Sequence, residues 1–240
     1  MYSIKEYDIF VFDFDGTIMD TEFYHYIAWN NVLKKEISNF QLLENDYFRL
    51  NHNLDTHTFR NFLKDTYELH DYDRLYTLKG IEYKRLINQN YVLYMNSITS
   101  FFTHIKNNKK KIIMVTNSSK STIDWFINNY PDLNIFDEIY TKENFNYRKP
   151  NPECYQFIAE KYKNKKIIGF EDSLIGIHAL CQVKEIKAFH IKNNNKNYYY
   201  NDYIKENYNN ILFGNLCVEF LYDLSSKLNK ERHPSWCSLR

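Results

Sequence analysis

The chain has 240 residues, 44% of them apolar and 18% aromatic, enough to bury a sizeable core in one large domain or in a domain that carries an insert. Lys and Arg total 31 against 30 for Asp and Glu, a net charge of +1, so no global basic excess points to nucleic acid or to an anionic membrane. The opening MYSIKEYDIFVF lacks a basic stretch followed by a long apolar segment, and no run approaches the roughly 18 apolar residues of a membrane span, so a soluble cytoplasmic protein is expected.

Ile9 to Phe12 is a short apolar run of the kind that forms a strand buried on both faces, and similar runs recur at Ile112–Val115, Ile139–Tyr140, Ile167–Gly169 and Ala188–Ile191. Between them, Thr122–Asn129, Pro152–Tyr162 and Ser173–Cys181 carry helical patterns. This alternation predicts an α/β fold, a Rossmann-like and mainly parallel sheet sandwiched by helices. From about Thr21 to Tyr94 the alternation stops, and TEFYHYIAWNNVLKKEI, THTFRNFLKDTYEL and YDRLYTLKGIEYKRLINQNYVLY space their apolar residues three or four apart. An all-helical cap inserted after the first strand is expected there. The chain then divides into an α/β core at 1–20 and 93–226, a cap at 21–92 and a tail at 227–240, with hinges near Met19–Thr21 and Tyr94–Ser97. The Asn/Tyr/Lys-biased stretch 192–210 receives no firm assignment. Cys154, Cys181, Cys217 and Cys237 show no CxxC spacing and read as reduced thiols.

The chemistry gathers at the predicted strand ends. Asp13 follows the first strand, Asp15 lies two residues on, and Gly16 allows a tight turn whose N–H groups, from Phe14 to Thr17, can cradle an anion. Asp15–Gly16 is equally a common turn dipeptide. In VTNSSK, Thr116 and Asn117 can donate to a phosphate oxygen or serve as helix caps. Lys149, before Pro150, can neutralise a phosphate and its attacking carboxylate, or stand as a solvated loop residue. Glu171 and Asp172 lie side by side before a helix, a pair suited to a hard divalent cation, although Asp172 also fits as an N-cap.

DFDGT, VTNSSK, the Lys of RKPNP and GFEDSLIG occur in the order and setting of the haloacid dehalogenase superfamily of phosphohydrolases, which the chain resembles from Tyr7 to about Phe213. The resemblance implies Asp13 as nucleophile, Asp15 as general acid and base, Thr116 as a phosphoryl ligand and Lys149 as charge balance. It also implies a Mg2+ site made by Asp13, Asp15, Glu171 and Asp172, with Gly16, Thr17 and Asn117 around the phosphate. DTEFYHYIAW and FEDSLIGI look most like the β-phosphoglucomutase-like branch, in which a Thr and a His four residues later, here Thr21 and His25, sit at the hinge. Lys79 matches either a cap lysine of that branch or an exposed helical lysine. The mutase's cap arginine has no counterpart in RLNHNLDTHTF.

The expected activity is a Mg2+-dependent phosphatase acting on a small sugar or polyol phosphate through an aspartyl phosphate. A phosphomutase and a catalytically silent binding protein are the alternatives. The acid at Asp15 and the metal ligands argue against a dehalogenase, because halide leaves without protonation or metal. No nucleic-acid or membrane partner is expected, and the oligomeric state is open.

Overall fold

The computed structural model describes residues 3–95, 97–191, 204, 206–208 and 211–214. Chain order runs β1 (Ile9–Phe12), α1 (Glu22–Glu36), α2 (Glu44–Asn51), α3 (Thr58–Tyr67), α4 (Tyr72–Gln89), α5 (Ile98–Asn107), β2 (Lys111–Val115) and α6 (Lys120–Asn129). It continues with β3 (Glu138–Tyr140), α7 (Glu153–Lys161), β4 (Ile167–Glu171), α8 (Leu174–Cys181), β5 (Ile186–Ile191) and β6 (Leu212–Gly214). Among the described residues six strands lie in the order β3-β2-β1-β4-β5-β6, and every neighbouring pair is parallel.

Alternation along the strands explains the two layers. Phe10, Phe12, Ile112, Met114, Ile168 and Phe170 pack with Phe101, Phe102 and Ile105 of α5 and with Ile123 and Phe126 of α6. Ile9, Val11, Ile113, Val115 and Ile167 face the other way, onto Tyr155 and Ile158 of α7 and Ala179 and Leu180 of α8. Phe12 stacks on Phe170 across the β1–β4 pair, with ring centroids 4.5 Å apart. Helices on both faces leave the carboxyl ends of the strands as the natural place for a ligand. The crevice lies between β1 and β4, where the strand order reverses.

Helices α1–α4 fill the interval between β1 and α5 and build their own apolar centre from Trp29, Leu33, Tyr47, Phe59, Leu63 and Leu75. Leu174 and Ile177 of α8 join that centre, so the insert rests on the sheet's carboxyl side. Its two connections run together: Asp20 N–H donates to the Leu93 carbonyl at 2.8 Å, Met95 N–H to the Ile18 carbonyl at 2.8 Å, and Met19 bridges Tyr94.

Some elements differ from the expectation. Helix α5 was not foreseen, although Phe101, Phe102 and Ile105 have helical spacing. β4 continues past Gly169 to Glu171, because parallel pairing with β5 extends to Glu171 opposite His190. β5 starts at Ile186 rather than Ala188. β6 lies where no assignment was made. The tail 227–240 and most of 192–210 lie outside the described residues, as do Cys217 and Cys237; Cys154 and Cys181 are free thiols. No described helix is long and apolar enough to cross a membrane.

Candidate active site

Asp13 is the residue after β1, and Glu171 is the last of β4, so both continue the strand face that packs on α7 and α8. That parity brings them together with Lys149, whose ammonium donates to Asp13 Oδ1 at 2.7 Å, Glu171 Oε1 at 2.6 Å and the Val115 carbonyl at 2.8 Å. Lys149 is only 4% exposed, so the solvated-loop alternative does not hold. Burial pulls its pKa down, but the Asp13 and Glu171 carboxylates outweigh this and hold it above the usual lysine range. Asn117 braces the loop: its amide donates to the Lys149 carbonyl at 3.1 Å and accepts from the Lys149 N–H at 3.0 Å.

Asp13, Glu171 and Asp172 form a cluster in which one carboxylate oxygen from each lies within 4.8 Å of the others. Glu171 Oε2 and Asp172 Oδ2 are buried with no hydrogen-bond partner. Each abuts a glycine: a Cβ on Gly176 would come within 1.9 Å of Glu171 Oε2, and one on Gly16 within 2.1 Å of Asp172 Oδ2. Gly16 also has φ +75°, the left-handed region that glycine tolerates. Burial, and then the negative charge of Glu171, pushes the Asp13 pKa well above the carboxylate range; burial and then Asp13 do the same to Asp172. Three crowded acids, two of them with orphaned oxygens, fit a hard divalent cation, which would supply the missing positive charge.

The Asp15 carboxylate, expected among the metal side chains, lies outside this cluster. Thr21 Oγ1 donates to its Oδ1 at 2.6 Å and Ser118 Oγ to its Oδ2 at 2.6 Å, while His25 Nε2 stands 3.5 Å from Oδ1. Burial raises its pKa, but these three partners outweigh burial and bring it to about 2. Lys79 Nζ lies 2.6 Å from His25 Nδ1, and the other ring nitrogen, Nε2, faces Asp15. Lys79 is therefore an inward lysine, not an exposed helical one; burial, opposed by Glu22 and Asp15, lowers its pKa to about 8.

Several expected phosphate ligands are used elsewhere. Thr17 Oγ1 donates to Asp172 Oδ1 at 3.0 Å, the Gly16 N–H goes to the Met19 carbonyl at 2.8 Å, and Asn117 holds the Lys149 backbone. Thr21 serves Asp15. Thr116 is buried in the wall of the cavity and accepts from the Ser118 N–H at 2.9 Å. That cavity, about 130 Å³, joins Asp13, Asp15, Thr116 and Lys149 to Glu22, His25, Tyr47, Asn51 and His52 of the helical insert.

The family model for haloacid dehalogenase-like hydrolases matches residues 7–183. The chain belongs to that family. Among solved structures, this hydrolase is similar to CbbY from Rhodobacter sphaeroides in complex with phosphate (16% identity, TM-score 0.69, 91% of this chain and 99% of that one). It is also similar to β-phosphoglucomutase from Clostridium difficile (23% identity, TM-score 0.67, 93% and 98%). A predicted phosphoglycolate phosphatase from Haemophilus somnus matches at 14% identity and TM-score 0.69, over 92% and 98% of the two chains. At these identities the likeness is one of fold.

Sequence reasoning missed Glu22, His52, Ser118 and Tyr155. Glu22 pairs with His52 Nε2 at 3.0 Å inside the cavity wall. Burial raises the Glu22 pKa, but His52 outweighs burial and the net shift is downward. Glu22 and His25 share a face of α1 at i, i+3, a spacing visible in TEFYH. His52 and Tyr155 lie far from their partners in sequence and gave no local signal.

Proposed function

We propose that this hydrolase is a Mg2+-dependent phosphatase acting on a small phosphorylated metabolite, a sugar or polyol phosphate, through an aspartyl phosphate on Asp13. The observation that supports it most is the separation of two neighbouring carboxylates. Asp13 shares Lys149 with Glu171 in a cation-ready cluster, while Asp15 is held apart by Thr21 and Ser118.

A carboxylate and a phosphate dianion repel each other. Asp13, Glu171 and Asp172 would hold the Mg2+, whose charge supplies Lewis-acid stabilisation to the transferring phosphoryl group. Lys149 fixes the Asp13 oxygen it holds, leaving the other to attack phosphorus in line and form the acyl phosphate. Asp15 then has two tasks: protonating the departing alkoxide and deprotonating the water that releases phosphate. Its pKa of about 2 keeps it ionised, as a proton acceptor must be, but makes it a weak base, so its place beside the water carries the second task. For the first, a bound phosphate dianion beside it raises the pKa by like-charge repulsion and favours proton uptake. The helical insert supplies Glu22, His25 and Lys79 and, closing about Met19–Thr21 and Tyr94–Ser97, would exclude bulk water.

A phosphomutase is the second reading, supported by the likeness to the C. difficile enzyme and by Lys79 reaching His25. Among the described residues lining the cavity no arginine is present to hold a second phosphate. The test is a screen of phosphorylated metabolites with Mg2+, with phosphate release and isomerisation scored side by side. Isomerisation with almost no phosphate release overturns the phosphatase.

A further inference from the structure

Tyr155 lies in the first turn of α7 and is fully buried under the acidic cluster. Its hydroxyl donates to Glu171 Oε1, the same oxygen that takes Lys149. Its ring lies against the Lys149 ammonium, 5.0 Å from Nζ to centroid. All three N–H groups of Lys149 are spoken for, two by carboxylates competing for one cation: Asp13 at 2.7 Å and Glu171 at 2.6 Å.

Two buried carboxylates do not share one ammonium evenly unless something tempers the stronger competitor. A second donor on Glu171 Oε1 does this, because it spreads the negative charge of that oxygen over two hydrogen bonds. The same bond fixes the carboxylate's rotation. With Oε1 tied to Tyr155 and Lys149, Oε2 is left against Gly176 with no hydrogen-bond partner. Without the hydroxyl, Oε1 keeps only Lys149, which is drawn toward Glu171 and away from Asp13. Both the cation cluster and the nucleophile's support then loosen.

We propose that Tyr155 is a positioning residue of the active site, its hydroxyl holding Glu171 so that Lys149 remains shared with Asp13. The proposal rests on Glu171 and Asp13 acting as described above. Tyr155 itself does not line the cavity.

The test compares wild type, Tyr155→Phe and Tyr155→Leu. Binding of Mn2+ is followed by electron paramagnetic resonance in the absence of substrate, and kcat and KM are measured with an aryl phosphate. Outer partners of metal ligands are worth about 10- to 100-fold in affinity or rate. Tyr155→Phe, which keeps the ring, is expected to weaken Mn2+ binding by about that factor and to lower kcat with little change in KM, while it remains folded at the assay temperature with an unfolding midpoint lower by several degrees. Tyr155→Leu, which also removes the face beneath Lys149, is expected to lose more. A Phe variant that binds Mn2+ and turns over within about twofold of wild type overturns the proposal, as does a loss of activity explained wholly by unfolding. Absence of metal-dependent hydrolysis in the wild type would instead sink the phosphatase, leaving the Mn2+ titrations to judge Tyr155.

Discussion

Lys149 and Asp13 are 136 residues apart in sequence, yet their charged atoms meet at 2.7 Å in an interior where both are almost fully buried. A buried ion pair contributes little net stability, but breaking one leaves an uncompensated charge. Lys149→Met should cost about 3–5 kcal/mol in denaturant unfolding. It should also lower turnover by about a hundred- to thousandfold, as loss of a preorganised cationic donor does. Lys149→Arg should not rescue it, since a planar fork cannot reach Asp13, Glu171 and the Val115 carbonyl from one atom.

Metal removal tests the acidic cluster. EDTA should abolish phosphate release, Mg2+ should restore it, and Ca2+ should restore it poorly because its looser coordination misplaces Asp13. Mg2+ should also raise the unfolding temperature, by linkage to about 2.7 kcal/mol at a hundredfold excess over its Kd. Full turnover in EDTA would contradict this.

Gly176→Ala separates two opposed effects inside α8. Helix propensity alone favours alanine by about 1 kcal/mol. The new Cβ, however, would lie 1.9 Å from Glu171 Oε2, so the carboxylate must move. The variant should be less stable in calorimetry and should bind Mn2+ more weakly, the reverse of the propensity order.

Lys79 gives a pH dependence whose sign is fixed by its lowered pKa of about 8. Between that value and the ordinary lysine pKa the unfolded chain holds a proton that the folded one has released, so stability from this group rises with pH across that window. Compared with Lys79→Met, the wild type should gain stability from pH 8 upward, by at most about 1.4 kcal/mol per pH unit. Equal slopes in urea titrations of the two proteins would contradict the placement of Lys79 beside His25.

Much of the molecule was legible because its signals are local. β1, β2 and β4 are apolar runs closed by polar residues, and a parallel sheet with buried faces follows from them. The residue before each turn marks the carboxyl edge, so Asp13, Thr116 and the Glu171–Asp172 pair could be placed without coordinates. Partnerships across the sheet could not. Thr17 turns to Asp172, Asn117 to the Lys149 backbone and Ser118 to Asp15, and none of these contacts has a spacing that sequence can show. α5 was missed because its short apolar pattern, Phe101, Phe102 and Ile105, runs almost directly into β2, and β6 because three residues at a sheet edge carry too short a pattern.

The account depends above all on Asp13 becoming phosphorylated, and intact-protein mass spectrometry of Asp15→Asn tests that most directly. This variant keeps the nucleophile and its metal ligands but lacks the base that activates water. Incubated with Mg2+ and an aryl phosphate, which needs no proton on leaving, it should gain the mass of one phosphoryl group, mapped by peptide digestion to Asp13 and absent from Asp13→Asn. A variant that stays unmodified while wild type hydrolyses the same substrate, or that carries the group on another residue, would contradict the mechanism.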